Sequence, residues 1–289
     1  MLKTFKLNVA VAQVDCVLGN VKTNARKHLE FIQEAQGAGV NLLLFPELSL
    51  TGYRLGADII QVALSRRDPI IQELAQAAPE LIVILGFVEE GAGAQFYNSA
   101  VALHEGRVIF VHRKLNLPTY GNLEEGKLFA NGRYIQTFDA GGPWNAGVLI
   151  CADLWNPALV HLAMVQGATV LLAPINSAIE AVSTEFSNPK GWELTVQFYA
   201  MIYGMPILMA NRIGIEGEAC FWGGSQIVDP YGNTIVKAET ESECLIQATL
   251  DYNDVRYARF QLPTVRDSNL NLVYREIERL ANQVGIPIL

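Results

Sequence analysis

Four residues of this chain could carry chemistry together, and three of them stand where an apolar run breaks off. Glu47 follows NLLLFP, Lys114 follows VIFVHR and Cys151 follows GVLI, while Glu125 lies within NLEEGKLFANG. A thiol set beside a carboxylate and an ammonium can attack a carbonyl: the carboxylate takes the S–H proton and the thiolate forms an acyl adduct. The cation and nearby backbone N–H groups then hold the charge that develops on the carbonyl oxygen. Amide chemistry can use such a set. Each residue also has a plainer reading by itself. A free cysteine is most often a small buried hydrophobe, Glu47 a solvated turn carboxylate, Lys114 a solvated strand end, and Glu125 part of a charged loop with Glu124 and Lys127. Spacing alone leaves both readings open.

The elements that would position these residues are legible as punctuated apolar runs. KLNVAVAQ, NLLLF, LIVILGFV, NSAVALH, RVIFVHR, GVLIC, TVLLAP, PILMAN, SQIVDP, TIVKA and CLIQATL read as strands. Several are apolar at nearly every position, as expected of strands covered on both faces. Helical periodicity appears at 21–37, where Ala25, His28, Leu29, Ile32 and Ala35 share a face, and again at 67–78, 158–166, 192–202 and 269–284. Asp229 to Asn233, DPYGN, reads as a hairpin turn, Asp139 in FDAGGPWN as a turn residue, and Ala181 to Gly191 as a surface loop. Reactive groups collect where the strands of such sheets end. With no fixed repeat, low-complexity stretch or polar linker, the pattern predicts one α/β domain over residues 1–289, with layered sheets and helices outside.

Composition narrows the partners. The 289 residues are 51% hydrophobic and 17% charged, with a net charge of -8, which argues against nucleic acid and anionic membrane surfaces. No run nears the ~18 apolar residues of a membrane span, and the amino terminus, broken by Asn8, Gln13 and Asp15, reads as a strand rather than a leader. Cys16, Cys151, Cys220 and Cys244 are scattered, unlike a disulfide framework. The expectation is a cytoplasmic protein. His28, His104, His112 and His161 lack metal-ligand spacing, the signature around a papain-like cysteine is missing, and GGSQI lacks the second glycine of a serine-nucleophile turn.

The three segments around Glu47, Lys114 and Cys151 resemble the motifs of the nitrilase superfamily, the carbon–nitrogen hydrolases. The likeness spans nearly the whole chain, from KLNVAVAQ through PINSA and ANRIG to WGGSQIVDPYGN, in the family's order. It implies a four-layer α-β-β-α sandwich, no metal, no organic cofactor, and a homo-oligomer, either a dimer or a larger assembly. It also implies a small-molecule amide or carbamoyl substrate cleaved through a cysteine thioester. The family's catalytic glutamate, lysine and cysteine fall on Glu47, Lys114 and Cys151, and its supporting glutamate on Glu125. Ala152 would offer a backbone N–H to the oxyanion, and Tyr53, Tyr120, Trp155 and Asn176 would wall the substrate pocket.

Within the family, KLNLPTYG with Glu125, and CADLW, are similar to the glutaminase domain of glutamine-dependent NAD synthetases. Two features depart from those domains: Ala152 stands where they usually carry glutamate, and no glycine-rich phosphate loop follows before Leu289. Stand-alone amidases read Cys-x-Asp-x-Arg-Phe-Pro-Glu; Asp153 and Pro157 match, whereas Trp155, Asn156 and Ala158 do not. Nitrilases more often read Cys-Trp-Glu, which disfavours nitriles. An ammonia-supplying glutaminase working with a separate synthetase is the alternative within enzymes.

Overall fold

The computed structural model describes residues 5–183 and 185–284. Its first half runs β1 (Lys6–Gln13), α1 (Val21–Gly37), β2 (Leu42–Leu44), α2 (Ile59–Val62), α3 (Pro69–Ala77), β3 (Ile82–Gly91), β4 (Gln95–His104) and β5 (Arg107–Arg113). A middle portion holds α4 (Glu125–Leu128), β6 (Thr137–Asp139), β7 (Asn145–Val148), α5 (Pro157–Val165), β8 (Val170–Pro174), α6 (Asn188–Tyr203) and β9 (Ile207–Ala210). The remainder comprises β10 (Ile213–Glu216), β11 (Ala219–Trp222), β12 (Gln226–Val228), β13 (Thr234–Lys237), β14 (Cys244–Asp251), α7 (Tyr252–Gln261) and α8 (Leu270–Gln283).

The helices begin where the sequence supplies caps. Asn20, Asp68, Asn156 and Ser187 each accept a first-turn N–H, and Pro69, Pro157 and Pro189 follow three of them inside the first turn. Two six-stranded sheets result, ordered β14-β1-β2-β3-β4-β5 and β13-β12-β9-β8-β7-β6. One buried cluster joins Val9, Leu44 and Ile84 of the first sheet to Val148, Leu172 and Leu208 of the second. A second packs the outer face of the first sheet on Ile32 of α1 and Leu74 of α3. A third packs the second sheet on Val160 of α5 and Val196 of α6. The layers are therefore α-β-β-α, as the resemblance implied, and strands buried on both faces are apolar throughout.

This arrangement explains where the site lies. β1, β2 and β3 are parallel, as are β7, β8 and β9, so their carboxyl ends emerge together. The Glu47 N–H after β2 donates to Ile175 O after β8 at 3.3 Å, tying the two sheets at that end.

Several local expectations are revised. GVLIC does not stay extended to the cysteine: β7 stops at Val148, and Cys151 opens a short 3-10 turn with φ 45°. α6 starts at Asn188, so only 181–183 and 185–187 of the expected loop are irregular; Thr184 lies outside the described residues, as do residues 1–4 and 285–289. The hairpin β10–β11 had no counterpart in the sequence reading, because IGIEGEACFW mixes glycine and glutamate into its alternation. α7 was missed because only Val255 and Ala258 of its ten residues are buried, too few for a clear apolar stripe.

Candidate active site

Glu47 sits on a tight turn after Pro46 that presses against the neighbouring strand. At Gly86 of β3, a Cβ would lie 2.2 Å from Leu48 N and 2.9 Å from Glu47 C, so only glycine lets the turn approach this closely. Behind the turn, His28 of α1 bonds Ser49 Oγ at 2.9 Å, and burial pushes this imidazole down to about 4, keeping it neutral.

The structure brings Glu47, Lys114 and Glu125 into one buried cluster. Lys114 Nζ donates to Glu47 Oε1 at 2.7 Å and to Glu125 Oε1 at 2.6 Å, with Lys114 wholly buried. The plainer reading of Lys114 as a solvated strand end is therefore wrong, and so is that of Glu125 as part of an exposed loop. Asn98 of β4 donates to Glu47 Oε1 at 2.7 Å and to Glu125 Oε2 at 3.4 Å. Tyr53 OH donates to Glu125 Oε1 at 2.6 Å. Glu47 Oε2 is buried without a hydrogen-bond partner, which leaves one carboxylate oxygen free to take a proton.

Electrostatics follow from burial and proximity. Burial raises the Glu125 carboxyl to about 6; Lys114 pulls it down and Glu47 pushes it up. Burial works to lower the Lys114 ammonium, but Glu125 and Glu47 overcome it and hold the group well above its ordinary value. The Cys151 thiol is pushed well up, first by burial and then by Glu47, with Lys114 and the Asn176 backbone N–H acting in the opposite direction. A thiol that keeps its proton at rest needs a base at the moment of attack.

Asp153 holds the cysteine turn against the lysine strand. Its buried carboxylate accepts Leu115 N at 2.9 Å and Asn116 N at 2.8 Å on Oδ1, and Ile150 N at 3.0 Å and His112 Nε2 at 2.9 Å on Oδ2. Asn176, after β8, donates from Nδ2 to Glu47 O at 2.9 Å. Ala152 is buried beside Cys151, with its carbonyl accepting Asn116 Nδ2 at 3.3 Å. Tyr120 is half-exposed, and its phenol is raised by burial and then by the nearby Cys151. Trp155 lies 4.6 Å from the Trp192 ring and 5.9 Å from Phe186, and it lines a groove against Leu194 and Phe198 of α6. A cavity of about 200 Å³ opens beside the cluster between Tyr53, Asn176 and Phe221, with Arg54, Glu180 and Glu218 around it.

Sequence reasoning passed over Asn98, His112 and the partners of Asp153. Asn98 was visible as a lone amide opening NSAVALH, but nothing local showed which carboxylates it would meet. Among the described residues, no group of three or more His, Cys, Asp or Glu could hold a metal ion, and no helix is long and apolar enough to cross a membrane.

Comparison with known proteins shows what the chain is similar to. The chain is 30% identical over 258 residues to a glutamine-dependent NAD(+) synthetase of Thermotoga maritima, covering 86% of this chain but 43% of that one. It thus spans less than half the length of that relative. It is 28% identical to the probable nitrilase C965.09 of Schizosaccharomyces pombe, over 94% of this chain and 98% of the other. The fold matches an amidase from Nesterenkonia sp. AN1 with a TM-score of 0.78 at 22% identity, covering 93% and 96% of the two chains. That structure is a mutant showing covalent addition of the acetamide moiety of fluoroacetamide at the active-site cysteine. Residues 8–260 match the carbon-nitrogen hydrolase family across most of the chain, and the protein belongs to that family.

Proposed function

We propose that this protein hydrolyses the carbon–nitrogen bond of a small amide or carbamoyl substrate through a thioester on Cys151. The observation that carries the reading is the unpartnered, buried Glu47 Oε2, whose sister oxygen is held by Lys114 and Asn98. Glu47 takes the proton of the Cys151 thiol, and the thiolate attacks the substrate carbonyl. Lys114 and the Ala152 N–H stabilise the oxyanion. Glu47 then returns the proton to the departing ammonia or amine and activates the water that frees the acid. Glu125 keeps Lys114 oriented, and Tyr53, Tyr120, Asn176 and Trp155 contribute the walls of the substrate site. The acetamide adduct on the cysteine of the Nesterenkonia amidase supports the covalent step.

In this reading residues 1–289 form one carbon–nitrogen hydrolase domain acting in the cytoplasm as a homo-oligomer. The exposed Leu194, Phe198 and Met201 along α6 support the oligomer. The similarity to a glutamine-dependent NAD(+) synthetase favours glutamine as one amide to test. The deciding experiment compares ammonia release from glutamine, short aliphatic amides, carbamoyl amines and the matching nitriles, with hydroxylamine present. A thioester yields a hydroxamate at the expense of acid, because hydroxylamine attacks the same acyl carbon as water. Turnover of amides with hydroxamate formation is expected. Faster cleavage of nitriles with no hydroxamate would replace this reading with a nitrilase.

A further inference from the structure

The hairpin β10–β11 contributes no group to the chemistry above, yet it carries a deeply buried charge system. Arg212, at its entry, is fully buried, and Glu216, at its turn, is nearly so. The two are ion-paired, and Arg212 also reaches Asp15 Oδ1 at 2.8 Å and Cys16 O at 2.9 Å. A buried ion pair seldom justifies itself by stability, since desolvation offsets most of the attraction. What this pair does beyond binding itself is therefore informative.

Glu216 reaches out of the hairpin to the chain just after the Glu47 turn. Its carboxylate accepts Arg54 N at 2.8 Å and Tyr53 N at 3.2 Å. Gly52 makes that approach possible: with φ +83°, a Cβ there would lie 2.9 Å from Leu18 Cα and 3.1 Å from Glu216 Oε1. The tyrosine ring is held from the same hairpin. Phe221 of β11 meets Tyr53 edge-on with centroids 6.4 Å apart, and the Arg212 guanidinium lies 4.4 Å over Phe221. Backbone and ring of Tyr53 are thus both set by one buried arginine–glutamate unit, and the Tyr53 phenol ends 2.6 Å from Glu125 Oε1.

We propose that Glu216, held by Arg212, is a positioning residue for the catalytic cluster: it fixes residues 52–54 so that Tyr53 OH stays on Glu125 and Glu125 on Lys114. The inference rests on the amide-hydrolase reading for the identity of the reaction. The chain of contacts runs from Arg212 through Glu216 and the Tyr53 backbone to Glu125 and Lys114, and it joins a hairpin remote in sequence to the reacting groups.

The test is a double-mutant cycle of Glu216→Gln and Tyr53→Phe in the full chain. Glutamine keeps the shape of Glu216 but turns one acceptor oxygen into a donor facing N–H groups. Each single variant is expected to lower kcat about tenfold to a hundredfold with KM changed less than about threefold, the size of effect that misplacing a catalytic group produces. The double variant is expected to be no more than about twofold worse than either single one. In both variants the acid limb of the rate profile moves to higher pH, because the phenol hydrogen bond that favours ionised Glu125 is lost. Ile32→Val, in the outer layer, serves as a control for destabilisation alone and leaves the limb in place. Multiplying losses, or a Glu216→Gln variant that loses thermal stability with kcat and acid limb unmoved, would overturn the proposal. Should Glu216→Gln not fold, Glu216→Asp, which shortens the reach to the Tyr53 and Arg54 N–H groups, takes its place with the same expectations. The rate of Cys151 alkylation by iodoacetamide is measured beside turnover and is expected to fall in parallel. If wild type alkylates normally but cleaves no amide, the proposed function fails, and the cycle is still decided on the alkylation rates.

Discussion

Lys114→Met tests the cluster most directly. Lys114 Nζ lies 2.7 Å from Glu47 Oε1 and 2.6 Å from Glu125 Oε1, and none of the three side chains is more than 4% exposed. Methionine keeps much of the stem but leaves two buried carboxylates facing one another with no cation, so one must take up a proton. Breaking a buried pair in this way costs about 3–5 kcal/mol. For a domain of this size that corresponds to a Tm lower by roughly 5–8 °C near neutral pH. The sign of the pH dependence follows from Glu125. Its folded pKa of about 6 already lies above the ordinary 4.5, and removing Lys114 raises it further. A carboxyl raised on folding contributes stability that is fully present below its unfolded pKa and is lost as pH rises through the folded value. The deficit of the variant is therefore smallest below about pH 5 and largest above about pH 7. The oxyanion loses its cation as well, so kcat is expected to fall roughly 10²- to 10³-fold. Differential scanning calorimetry of wild type and variant across this pH range, beside amide turnover, gives both quantities. A deficit of equal size at every pH, or a Tm change under about 2 °C near neutrality, would show that the three groups do not form the charged unit described here.

Cys151→Ala should lower turnover by about 10³-fold or more and abolish hydroxamate formation while leaving Tm almost unchanged; residual activity within about tenfold of wild type removes Cys151 from the reaction. Asp153→Asn replaces one acceptor oxygen with a donor against two of the four N–H groups that the carboxylate accepts, and urea unfolding should show a loss of about 3 kcal/mol together with slower Cys151 alkylation. An unmoved unfolding midpoint would refute that bracing role. Gly86→Ala drives a methyl into the Leu48 and Glu47 backbone, so it should reduce kcat more than KM and lower Tm; unchanged kinetics would mean that the turn relaxes freely.

Much of the scaffold was legible because its causes are local. α1 occupies 21–37 as expected, since Asn20 can cap it and the three- and four-residue spacing of Ala25, His28, Ile32 and Ala35 can face only one way. The doubly apolar strands announced a sheet covered on both sides, and the ends of NLLLF, RVIFVHR and GVLI marked where side chains could leave it. Local signals failed where the stabilising contacts are remote. β10 and β11 carry glutamate and glycine because the hairpin is committed to Arg212, Glu216 and the Tyr53 turn, and their alternation is correspondingly poor.

The sequence by itself determined which side chains stand at the strand ends, because turns and periodicity are written in neighbouring residues, and motif order pointed to the family. Only the tertiary structure decided what those side chains are. A lysine after a strand is a surface charge until Glu47 and Glu125, 67 and 11 positions away, close on it and exclude water. An asparagine in β4 is an oddity until the register across the first sheet aims it at both carboxylates. Burial and charge pairing depend on surfaces brought together from distant parts of the chain. The pKa of Glu125, the unpartnered oxygen of Glu47 and the protonated resting state of Cys151 arise only once the two sheets have closed over one another.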